Sequence, residues 1–138
     1  MTDHGRLLDV LARAEADAIK ALAEDLLPRL GDVEVLSSRT GLVMQPARDP
    51  VAEVDFHLGE VLVAEAHIRA AGTEGYGMTL GRDLERSMAM AVCDAAWSSG
   101  LGQAEVAAFA ERAATAQAEA DAAMLRAIEA TRVDMETF

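Results

Sequence analysis

Gly81-Arg82-Asp83 sets a guanidinium beside a carboxylate, directly after Gly75-Tyr76-Gly77-Met78-Thr79-Leu80. The stretch reads as a β-strand running into the start of a helix. Unpaired backbone N–H groups and a guanidinium meet at such a junction, and an anion suits both. Arg82 is therefore the candidate phosphate-binding residue. Asp83 argues the other way, because its carboxylate repels such an anion unless a metal or a second arginine intervenes. The plainer alternative is a glycine-bent strand in which Arg82 and Asp83 form a local ion pair and a helix cap. The glycines make neither a P-loop nor a dinucleotide fingerprint, since no Lys-Ser/Thr pair follows and the spacing differs.

Other groups capable of chemistry are scattered. His57 and His67 fall on strand segments on either side of Gly59-Glu60, and His4 lies near the terminus. No His or Cys spacing suits a metal, so no metal site is expected. Glu53, Asp55, Glu60 and Glu65 could serve as acids or bases, but a solvated sheet face explains them more simply. Cys93 stands among Ala89, Met90 and Ala96 and reads as core. At the C-terminus, Arg132, Met135 and Phe138 mix charge with apolar residues that want burial, which makes them candidate subunit contacts.

The chain has 138 residues and a formal net charge of −12. One domain is expected over 1–138, with an N-terminal helix in 1–30, a sheet in 31–81 and a helical part with a tail in 82–138. The acidity argues against nucleic acid and anionic membrane as partners. Lys20 is the one lysine, so the basic groups are nearly all arginine. A lone cysteine excludes an intrachain disulfide. With no secretory or membrane-spanning pattern, a cytoplasmic location is expected.

Elements must position these groups. Leu7, Leu8, Leu11, Ala14, Ala18, Leu22 and Leu26 predict one helix from Asp3 to Leu27, ended by Pro28 and Gly31. Alternation predicts short strands at 32–39, 41–45, 53–58, 61–70 and 76–80, with a turn or bulge at Gly59-Glu60 and a turn at Gly72-Thr73-Glu74-Gly75. Short connections imply antiparallel pairing. Asp83 caps a helix carrying Leu84, Met88, Ala91, Val92 and Ala95 on one face. A last, alanine-rich helix from Gln103 to about Arg132 would span roughly 40 Å, more than a small domain needs. The expected class is α+β: a mostly antiparallel sheet of about four to five strands, one N-terminal helix and two C-terminal helices. Exposed apolar helix faces predict self-association when partners are absent.

Taken in order, Thr40-Gly41-Leu42-Val43, Arg48, Phe56-His57-Leu58-Gly59-Glu60-Val61-Leu62, Ala66-His67-Ile68-Arg69, Gly75 to Asp83, and Ala130-Thr131-Arg132-Val133-Asp134 closely resemble the PhnG family. That family is the small G subunit of the bacterial carbon–phosphorus lyase machinery. The resemblance implies a non-autonomous subunit that acts with the H, I and L subunits. Together they make α-D-ribose 1-methylphosphonate 5-triphosphate from ATP and methylphosphonate, the phosphonate replacing adenine at ribose C1. It also implies a core assembly with the H, I and J subunits. The iron–sulfur cluster and S-adenosylmethionine belong to J, so no cofactor is expected in this chain. The nucleosidase chemistry is associated with I. The resemblance supplies no catalytic residue. A purely structural scaffold or acidic adaptor is the competing expectation.

Overall fold

A computed structural model describes residues 3–49 and 54–136, with side chains described for 3–44 and 59–132. Two helices open the chain, α1 (His4–Ala12) and α2 (Ala16–Leu30). Three strands follow, β1 (Val33–Asp49), β2 (Val54–Ala70) and β3 (Thr73–Leu80), and then α3 (Leu84–Ser99) and α4 (Gln103–Glu136). The class is α+β, with the strands in one antiparallel sheet of order β1-β2-β3.

The predicted first helix is two helices. Arg13 and Ala14 donate their N–H groups to the Val10 and Leu11 carbonyls, which tightens the last turn of α1. The Arg86 Nη2 donates to the Ala12 and Ala14 carbonyls at 3.2 and 2.8 Å, so a guanidinium takes up the C-terminal end of α1. The break resets the phase of the apolar face. Leu7, Leu11 and Ala14 are buried before it; Ile19, Ala23, Leu26 and Leu30 are buried after it, in place of the expected Ala18 and Leu22. Pro28 sits inside α2, and Gly31, at φ 75°, ends it.

The four to five expected strands are three. Gly41 and Gly59 lie within long strands, where Gln45 pairs with Gly59 and Gly41 with Val63. At Gly59-Glu60 the bulge forms and not the turn: the ladder runs on, but Gly59 pairs with Gln45 and His57 with Pro46, which leaves Leu58 out of the register. Pro46 is accommodated by a bulge between Gln45 and Pro46, and a second bulge leaves Leu36 unpaired between Val35 and Ser37. The β2–β3 turn is Ala71-Gly72, both at positive φ, while Thr73 to Gly75 already belong to β3. Only Val63 to Ala70 of β2 pair with β3. Beyond them β1 and β2 continue as a two-stranded ribbon of about 30 Å.

One sheet face is covered by α3. Ala66 and Ile68 of β2 pack there, with Ala91, Val92, Cys93, Ala95 and Ala96 of α3, and Ala64 is buried as well. Leu84, expected on the apolar face of α3, is exposed, and Cys93 is buried as core. The first half of α4 lies on the domain through Val106 and Ala110. From Ala123 to Arg132 its side chains are exposed.

Candidate functional site

Gly75 and Gly77 hold α3 against β3. A Cβ at Gly75 would collide with the Ala91 carbonyl, and one at Gly77 with the Ser87 carbonyl. The glycine repeat is thus a close backbone contact and not a phosphate loop. Ser87 reinforces it: its hydroxyl is 2.7 Å from the Thr79 hydroxyl and donates to the Ala64 carbonyl at 2.7 Å.

That contact fixes the start of α3. Gly81, at φ 100°, turns the chain and donates its N–H to the Leu62 carbonyl. Asp83 is the N-cap, and its Oδ1 accepts the Arg86 N–H at 3.0 Å. Its Oδ2 accepts from the Lys20 Nζ at 2.8 Å, while Glu85 is 3.9 Å from the same ammonium. The expected Arg82–Asp83 ion pair is therefore replaced by Lys20–Asp83, reaching across from α2. The hydrogen bond from Lys20 holds the Asp83 carboxyl below its ordinary range, with the Arg86 N–H adding to it. Reciprocally, Asp83 raises the Lys20 pKa.

Arg82 is exposed and, among the described residues, has neither hydrogen bond nor ion pair. The repulsion that Asp83 would exert on an anion is offset by Lys20. Close by in the fold, a cleft of about 450 Å³ is lined by Ala12, Arg13, Val63, Met78, Leu80 and Arg86, together with Thr79. The junction thus presents one free guanidinium at a helix N-terminus whose own carboxylate is already neutralised. It can hold an oxyanion, but it offers no nucleophile.

The other sheet face carries a polar ladder. Arg39 lies 3.7 Å from Glu65, the Tyr76 hydroxyl donates to Glu65 at 3.4 Å, and His67 is 3.5 Å from Glu74. Arg69 bridges Glu74 at 3.2 Å and Glu34 at 3.6 Å. Burial pushes the Tyr76 phenol above its ordinary pKa, and Glu65 adds to the effect. Alternating signs satisfy one another here, as on a solvated face. Among the described residues, no group of three or more His, Cys, Asp or Glu is placed to hold a metal ion.

Three residues escaped sequence reasoning. Asp94 is buried in α3; it accepts the Tyr76 N–H at 2.9 Å and lies 2.6 Å from His4 Nε2, while His4 stacks on Trp97. A charge inside the apolar run Val92-Cys93-Asp94-Ala95-Ala96 was the available signal. Lys20 and Arg86 act across 63 and 72–74 residues of chain, which no local pattern reveals. Cys93 is unreactive by burial, which pushes its thiol up to about 12. Arg132 pairs weakly with Glu129 at 3.5 Å on exposed α4. The Met135 side chain and Phe138 lie outside the described residues, as do Glu53 and the side chains of Asp55 and His57.

A model of the family described as "Phosphonate metabolism protein PhnG" matches residues 3–138. The chain belongs to the PhnG family. Its role is accordingly in phosphonate metabolism. A search of curated proteins gave no match. Among the described residues, no helix of this PhnG protein is long and apolar enough to cross a membrane.

Proposed function

We propose that this PhnG protein is a non-autonomous subunit of the carbon–phosphorus lyase complex. It is needed, with the H, I and L subunits, to form α-D-ribose 1-methylphosphonate 5-triphosphate from ATP and methylphosphonate. Within the core assembly it sits with H, I and J. It is an enzyme only as part of that transferase, with the radical chemistry and its cofactors on J and the displacement of adenine on I.

Beside family membership, one observation carries this reading. Met124, Leu125 and Ile128 on the outer half of α4 are 66%, 64% and 57% exposed. Side chains of this kind on a rigid helix gain most by burial against another protein. In the same reading Arg82 reaches a phosphate or phosphonate oxygen at a subunit boundary. Lys20 leaves it unpaired for that task.

The scaffold reading is favoured by how thoroughly the other reactive groups are tied up. Asp83 and Asp94 accept two partners each, and the Cys93 thiol stays protonated. The two readings separate cleanly. A complex assembled with Arg82→Ala should form normally yet make triphosphate product about 10–100-fold more slowly, the loss of one charge-assisted hydrogen bond. Normal turnover by that complex would leave only the scaffold role. Full activity in a mixture lacking this chain would remove the proposal altogether.

A further inference from the structure

We propose that two copies of this chain join through the outer edge of β1, antiparallel about a two-fold axis at Ser37. The two edges of the sheet are treated differently. On β3, Asp94 occupies the Tyr76 N–H, and α1 packs beside that strand. On β1, no described element pairs with the outer edge. Val35 and Leu42 along it are 53% and 64% exposed. An uncovered edge of this length is a template for a further strand.

Charge selects a second copy as that strand. On the polar face, one row runs Glu74, Arg69, Glu34 and stops at the edge with an acid. Two rows along, beyond Tyr76, His67 and Ser37, a row ends at the edge with a base, where Arg39 meets Glu65. Glu34, Ser37 and Arg39 oppose Arg69, His67 and Glu65 in turn, so all three share this face. They do so because Leu36 is bulged out of the ladder; with regular alternation, Glu34 and Arg39 would lie on opposite faces. In a two-fold antiparallel pair centred on Ser37, Glu34 of each copy stands opposite Arg39 of the other. Both rows then continue with alternating sign across the seam. The patch is self-complementary, as a two-fold interface requires. Exposed ion pairs contribute little individually, so they set the register more than the strength. The net charge of −12 on each copy opposes association. The dimer is therefore weak, with a Kd of roughly micromolar or above.

The test uses the full chain alone and is independent of the enzymatic reading. Sedimentation velocity over concentrations on the order of 1–500 µM should show a reversible monomer–dimer equilibrium. Arg39→Glu should weaken it several-fold, and the paired change Glu34→Arg with Arg39→Glu should restore it. On mild oxidation, Ser37→Cys should give a disulfide-linked dimer, because directly opposed Cα atoms lie about 4.5–5.5 Å apart. Ser38→Cys is the control. It sits off the axis, about 8 Å from its own copy, and should not cross-link. Cys93 is buried and stays silent in both. A monomer throughout the range overturns the proposal, as does equal cross-linking of the two variants. It also fails if charge reversal on β1 has no effect while Ile128→Glu abolishes association.

Discussion

Lys20 determines what Arg82 is free to do. By taking the Asp83 carboxylate it removes the obvious intramolecular partner of Arg82. On the proposed function, Lys20→Met should therefore reduce synthase activity of the assembled complex in the same direction as Arg82→Ala, since the released Asp83 would then compete for Arg82. The pH dependence follows from the same contacts. Asp83 and Glu105 both have depressed carboxyl pKa values, through Lys20 and Arg29 respectively. A depressed folded-state pKa contributes stability above the unfolded value, and this is lost as pH falls through the folded one. Stability should hold from neutral pH down to the ordinary carboxylate range and drop below it. Asp83→Asn should flatten that acid limb in urea titrations at successive pH values. Because Lys20 is raised, its share persists below its ordinary value of 10.5 and disappears only as pH rises past the raised one. Cys93 should resist thiol reagents at pH 8 until the chain unfolds, when its pKa returns from about 12 toward normal. Rapid labelling of native protein would contradict its burial.

Among the elements, the α3–β3 contact is the least tolerant of change. Gly77→Ala would set a methyl against the Ser87 carbonyl. It should cost about 2–3 kcal/mol in chemical denaturation, the scale of overpacking a tight site. Ala71 works in the opposite direction. It holds φ 52° in the two-residue turn before Gly72, a conformation that asparagine adopts more readily. Ala71→Asn should raise stability by about 0.5–1 kcal/mol, read as a shift in denaturation midpoint. Periodicity in the sequence was enough to reveal α3 and α4, and residue type at a helix start to reveal the Asp83 cap. It could not reveal the break between α1 and α2, which depends on an arginine more than 70 residues away. Nor could it show that Gly41 and Gly59 sit within strands, because the partner that holds them straight is the other strand. Arg82 was legible as a candidate from its neighbours. Its freedom was not, because the residue that creates it lies on α2.

At the scale of the whole molecule, α4 has 34 residues, a length of about 50 Å, and only its first half rests on its own domain. Replacing Met124 and Ile128 by glutamate should leave the folding midpoint of the isolated chain within about 0.5 kcal/mol, since both are already exposed. On the proposed function, co-purification with the H, I and J subunits should nevertheless be lost, and its survival would move the contact elsewhere. A stiff rod anchored at one end also works as a ruler. Each residue advances it by about 1.5 Å and turns it by about 100°. One alanine inserted after Ala122 would swing Met124 and Ile128 a quarter-turn or more around the axis without touching the anchored core. Seven inserted residues would bring them back to nearly the same bearing, about 10 Å farther out. Distance and bearing could thus be varied separately, and the pattern of assembly would report which of them a neighbour reads.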